Sequence, residues 1–198
     1  QVVPCGAALR AVAVRSDALR LRHTVIVDGA APHSRRKERV VRDHYDVAAL
    51  DAVADAVVVS DELRFDAIDL AAGPAFSKRR LLDLGVAEAA RLDDDFASGR
   101  RVDALVAWFE LDLGSGVSLS SAPRSRFRPR DDNTHASYRG DSWQQAVFFL
   151  DDDDDDGDTP RRQPTLRVRA TVEPAADAPC DLLRLAVLKD DDDDDDPG

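Results

Sequence analysis

The chain has 198 residues, of which 43% are hydrophobic and 33% charged, with a formal net charge of −12. This length fits one domain, or one domain with tails, and a single core of that size is feasible. No run approaches the roughly 18 to 20 apolar residues of a membrane span, and no basic segment leads into an apolar stretch as a signal peptide would, so no membrane partner is expected.

The charge is concentrated. Asp151–Asp156 with Asp158, and Asp190–Asp196, supply fourteen of the 39 acidic residues; the remainder of the chain holds 25 acidic against 27 basic side chains, a net of +2. Runs of like charge repel internally and stay solvated, which predicts an acidic loop over 151–158 and a disordered acidic tail over 189–198. The absence of methionine predicts that Gln1 is not a native start and that the chain is a piece of a longer protein. Two distant cysteines, Cys5 and Cys180, predict an intracellular protein with reduced thiols that serve as small buried apolar groups, a single disulfide tying the two ends being the minority reading.

In chain order, Ala7–Arg15 mixes Leu9, Val12 and Val14 with small and basic residues and is predicted to be a strand. Thr24–Asp28 is β-branched, and Asp55–Ser60 holds three consecutive valines. Tyr45–Ala56 is alanine-rich, and its Val47, Leu50, Val53 and Ala54 fall at helical spacing, which predicts a helix. Leu63–Leu70 alternates in part, with Phe65 and Ala67 on one side of the pleat and Arg64, Asp66 and Ile68 on the other. Arg79–Leu92 reads as a helix on Leu81, Leu84 and Leu92, although Gly85 in its middle costs roughly 1 kcal/mol. Val102–Leu113 is too long and apolar for a half-exposed strand and predicts one buried on both faces at its centre. Gly114-Ser115-Gly116 reads as a hairpin turn. Trp143–Leu150 ends in an apolar strand, and Thr165–Val172 sets Leu166, Val168, Ala170 and Val172 against Arg167, Arg169 and Thr171, the pattern of a strand with one face on a core. Leu182–Leu188 is a last apolar run. Many short strands separated by turns predict a mainly β chain, as a sandwich or a barrel.

Few residues point to chemistry. The ten glycines form no phosphate-binding turn after a strand. Two distant cysteines and the scattered His23, His33, His44 and His135 do not make a zinc site, so no metal is expected. Carboxylates are calcium ligands, but a run of aspartates supplies neither the turns nor the carbonyls of a defined site. Arg124, Arg126, Arg128 and Arg130 alternate in a loop with Phe127 and Tyr138 as the aromatics nearby, too few for a base-stacking platform, so no nucleic-acid partner is expected. Trp143 stands out: it follows a polar loop at the mouth of a strand, where its ring can face a guanidinium. Position alone favours a plain core tryptophan, like Trp108.

Residues 102–150 carry more when read together. The run Val102-Asp103-Ala104-Leu105-Val106-Ala107-Trp108-Phe109-Glu110-Leu111-Asp112-Leu113 is followed by Ser120-Ser121-Ala122-Pro123. It closes with Asp141-Ser142-Trp143-Gln144-Gln145-Ala146-Val147-Phe148-Phe149-Leu150. This order resembles the C-terminal β-barrel of protein arginine methyltransferases. In that family a similar apolar strand leads through a Ser-x-x-Pro turn and a Thr-His-Trp or Asp-His-Trp loop into a second strand.

The likeness is weaker elsewhere: Val2–Leu9 resembles the strand that opens that barrel, Tyr45–Leu50 falls where the family inserts a helical dimerisation arm, and Ser60–Leu70 resembles the return to the barrel. The resemblance implies a mainly β fold, a β-barrel over 1–188 with a short helical arm at about 33–56, and a strand or loop at Arg79–Leu92. It also implies that the parent transfers methyl from S-adenosylmethionine to arginine-rich protein substrates, as a homodimer. The cofactor would be bound by a preceding domain whose motifs do not occur here, so no catalytic residue is expected within this chain. Trp143 would line the arginine pocket, with Asp141 and Ser142 shaping its loop. Asp141 matches the monomethylating branch, whereas Ser142 stands where most members have His. A Ser-Trp pair occurs in the symmetrically dimethylating branch. Ser142 also suits an alternative, a catalytically inactive paralogue that keeps the barrel as a scaffold.

Overall fold

A computed structural model describes residues 4–23, 25–27, 38–40, 46–70, 82–90, 102–125, 136–139, 143–150, 165–173 and 182–188. It is mainly β. The centre is a long antiparallel ribbon of β1 (Gly6–Arg15) and β9 (Ala104–Asp112), paired from Gly6↔Asp112 to Val14↔Ala104. Between them in sequence lie α1 (Asp17–His23), β2 (Val25–Val27), β3 (Glu38–Val40), β4 (Asp46–Ala48), β5 (Val57–Val58), β6 (Leu63–Arg64), β7 (Ile68–Asp69) and β8 (Leu82–Ala90). After them come β10 (Val117–Ser120), β11 (Ala136–Arg139), β12 (Gln145–Phe149), β13 (Thr165–Glu173) and β14 (Leu182–Val187).

The outer edge of β9 is shared. β12 pairs with its first half, from Phe149↔Ala104 to Ala146↔Ala107, and β10 with its last residues, from Ser120↔Glu110 to Ser118↔Asp112. β4 extends the sheet beyond β12, and β11 runs parallel to β10. The other edge of the ribbon carries β5, β6 and β7 as three pieces of one irregular strand. A second sheet, β8–β13–β14, is joined to that strand by Asp61 N–H donating to the Ala90 carbonyl at 2.9 Å and Asp66 N–H to that of Leu84 at 3.0 Å. The strands therefore curl into a half-barrel.

The ribbon is covered on both faces, which is why Ala104 to Trp108 are all buried, as the sequence predicts. On the concave side Leu9, Ala11 and Ala13 of β1 and Leu105 and Ala107 of β9 pack with Leu63, Phe65, Leu84, Phe148, Leu166 and Val168. On the convex side Val12, Val14, Val106 and Trp108 pack with Leu19, Leu50, Ala122 and Val147. The alternation in β13 also holds: Leu166, Val168 and Ala170 are buried while Arg169 is exposed. Gly114, Ser115 and Gly116 form the β9–β10 turn, with φ of 78°, 52° and 76°.

Several expectations are corrected. Tyr45–Ala56 is not a helix: its described residues form β4 and one 3-10 turn, Leu50–Ala52. Pairing of Asp46–Ala48 with β12 outweighs alanine's helical propensity. Val47, which helical spacing would bury, is 52% exposed. Of the arm expected at 33–56, Glu38–Val40 is likewise a strand, paired with β2; residues 33–37 and 41–45 lie outside the described residues.

Arg79–Leu92 contains β8 rather than a helix, because Leu84, Ala87 and Ala89 fall on one face once a bulge is allowed at Leu84–Gly85, where two residues oppose Ala170. The face expected for Leu63–Leu70 holds only as far as Phe65. From Ala11↔Leu63 to Ala7↔Ile68 the segment advances five residues while β1 moves four, so one extra residue flips the alternation. Ala67 is thereby exposed and Ile68 packs on the core. Cys5 is exposed, not buried, although its backbone already bonds to Asp112 and Leu70; Cys180 lies outside the described residues. The acidic tracts 151–158 and 190–196 also lie outside them.

Candidate functional site around Trp143

The two tryptophans occupy opposite environments. Trp108 is 3% exposed, in the convex-side core. Trp143 is 41% exposed, just before β12 begins. Its ring meets that of Phe109 with centroids 5.0 Å apart and planes tilted at 51°, the range in which aromatic pairs attract. Phe109 sits two residues beyond Ala107 on the concave-facing side of β9, opposite Leu9 of β1. Trp143 therefore stands at one end of the curl, packed on its last aromatic ring.

An indole that is part-buried against a neighbour yet substantially open meets the two requirements of cation binding. It is held in place, and ring area remains for a partially desolvated cation. Asp141 and Ser142 lie outside the described residues, so of the three predicted site residues only Trp143 is placed.

Polar groups that sequence reasoning passed over support this position. Gln145, the first residue of β12, is 1% exposed. Its Oε1 accepts the Leu50 N–H at 2.8 Å, and its Nε2 donates to the Ser121 carbonyl at 2.7 Å. Ser121 in turn holds Phe109: its N–H donates to the Phe109 carbonyl at 3.0 Å, and its Oγ accepts the Phe109 N–H at 3.2 Å. Asp51, beside Leu50, accepts the N–H groups of Arg124 and Ser125. A glutamine opening an apolar strand, two residues after an exposed aromatic, was the available signal. Its partners, 95 and 24 residues away, were not.

A second polar cluster is structural. Ser16 Oγ accepts the Leu19 N–H at 3.1 Å and so caps α1. Asp55 accepts the Ser16 hydroxyl at 2.7 Å and the Ala18 N–H at 2.9 Å, and these bonds hold its carboxyl below the usual range. Ser16 N–H donates to Asp103 at 2.8 Å. Ser16 followed by Asp17, with Arg20 and Arg22 further on, was a readable helix start that the periodicity of the preceding strand overshadowed.

Among the described residues no group of three or more His, Cys, Asp or Glu is placed to hold a metal ion, and no helix is long and apolar enough to cross a membrane. No protein-family model matches the chain, and no curated protein matches it significantly.

Proposed function

We propose that the chain is the substrate-binding β-barrel of a protein arginine methyltransferase. The parent enzyme transfers methyl from S-adenosylmethionine to arginine in arginine-rich proteins, as a homodimer, in the cytoplasm and/or nucleus. The observation that carries this reading is the order of residues 102–150 together with the fate of its two tryptophans. The first, within the strand-like motif, is core. The second, at the loop-to-strand junction, is open and braced by Phe109. A guanidinium has the planar, weakly hydrated charge that such a ring attracts.

The cofactor would be held by a separate domain, since the sequence carries no glycine-rich motif of a donor site. Methyl transfer requires donor and nucleophile in line at short range, so the part assigned here is one wall of the arginine pocket. Trp143 orients the guanidinium, while Asp141 and Ser142 shape the loop before it.

The test is methyl transfer by the full-length protein from labelled S-adenosylmethionine to an arginine-rich peptide. Trp143→Ala should raise KM by about two- to thirty-fold, the range of one cation–π contact. A protein that neither transfers methyl nor binds the peptide would end the reading. Ser142, where most of the family has His, favours a second reading, an inactive scaffold. It is identified by peptide binding that depends on Trp143 without methyl transfer.

A further inference from the structure

We propose that Gln145 is the positioning residue of the Trp143–Phe109 pair, and that its side-chain amide ties the pair to the Leu50–Ala52 turn. This deepens the arginine-binding role given to Trp143 and rests on it only where binding is concerned. The amide can sit in one orientation only. Leu50 N–H needs an acceptor and the Ser121 carbonyl needs a donor, so Oε1 faces the first and Nε2 the second.

The connections close on themselves. From Gln145 two backbone steps lead to Trp143, whose ring meets Phe109. From Phe109 two hydrogen bonds lead to Ser121, and the Ser121 carbonyl returns to Gln145. Both aromatic partners are thus tethered to one buried amide, the first by covalent bonds and the second by hydrogen bonds. Asp51 adds a second clasp, gripping the backbone of Arg124 and Ser125 from the same 3-10 turn. A chain of satisfied buried hydrogen bonds is stiff, because breaking any member leaves a donor or acceptor dry. The consequence is that displacement of the Leu50–Ala52 turn reaches Trp143 through Gln145.

The test is spectroscopic and needs no substrate. Trp108 is buried and Trp143 open, so the acrylamide-quenchable fluorescence belongs to Trp143, with Trp143→Phe as the reference. Gln145→Leu keeps the volume but removes both bonds. It should increase quenching, lower the anisotropy of Trp143 and weaken the near-ultraviolet dichroism of the aromatic pair, with far-ultraviolet dichroism unchanged. Val168→Ala, a core variant on β13, should leave these signals at native values. Native signals in folded Gln145→Leu, or equal changes in Val168→Ala, overturn the proposal. If Gln145→Leu does not fold, Gln145→Asn takes its place, because its amide is one methylene too short to reach both the Leu50 N–H and the Ser121 carbonyl. Increased quenching and lower anisotropy in Gln145→Asn then support the proposal, and native signals overturn it.

Binding of an arginine-rich peptide separates the two ideas. Where the native protein binds, Gln145→Leu should bind roughly five- to thirty-fold more weakly, the loss expected of one or two hydrogen bonds. Where the native protein binds no such peptide, the arginine reading falls, and the spectroscopic result still decides whether Gln145 positions Trp143.

Discussion

At Gly85 the backbone takes a φ of +82°, and an added β-carbon would stand 2.9 Å from Asp66 Oδ2. The Gly85 N–H donates to Asp83 Oδ1 at 2.9 Å, which steadies the bulge that faces Leu84 inward. Gly85→Ala should cost about 1–2 kcal/mol in urea unfolding, from the strained φ and the crowding together. Asp66→Ala in the same chain should recover only the crowding part. The sequence marked Gly85 as a residue that spoils a helix, and it does so by enabling a strand.

Asp55 supports a pH prediction. The Ser16 hydroxyl first, and the Ala18 N–H second, favour its charged form in the folded state. The unfolded chain keeps an ordinary aspartate near roughly pH 4. The folded value is the lower one, so the stability Asp55 adds is complete above the ordinary range and is lost as pH falls through the folded value. The difference in melting temperature between the native protein and Asp55→Ala should therefore be constant near neutrality and shrink as pH falls through the lowered folded value. A difference that persists undiminished in acid would mean that the carboxylate charge is irrelevant to the cap.

At the scale of elements, the segment from Val57 to Asp69 joins the two sheets without being a regular strand. It contacts β1 in three short pairings and β8 through Asp61 and Asp66. Where the ladder is broken at Ser60, the Ser60 hydroxyl oxygen accepts the Ala13 N–H at 2.9 Å, and the buried amide stays satisfied. Leu63 is fully buried and Val57 is 44% exposed. Leu63→Ala should cost about 2–5 kcal/mol, while Val57→Ala should lie within about 0.5 kcal/mol of native in urea unfolding.

Strand β13 was legible because its partners on both sides leave a strict period of two. Tyr45–Ala56 was misread because alanine-rich composition says nothing about a partner strand. Here β12 and Gln145, about a hundred positions away in sequence, claim the backbone of 46–50.

At the scale of the molecule, the near-neutral body and the two aspartate tracts are separable in sequence. If the 151–158 acidic tract recruits arginine-rich substrates, replacing its aspartates with asparagine should weaken peptide binding most at low salt, where the screening length is longest. Equal affinity of the two proteins at low salt would remove that role.

The sequence by itself determined the mainly β character, the doubly covered strand at 102–113 and its turn, and the one-sided strand at 165–172, because each is a matter of local periodicity or turn chemistry. It also singled out Trp143. Only the tertiary structure decided that Trp143 is open while Trp108 is core as its strand predicts, that β8 carries a bulge, and that Gln145 joins Leu50 to Ser121. Those outcomes depend on which distant backbone occupies each hydrogen-bonding edge. Every buried donor and acceptor must find a partner, and pairing across a hundred residues leaves no local period to read.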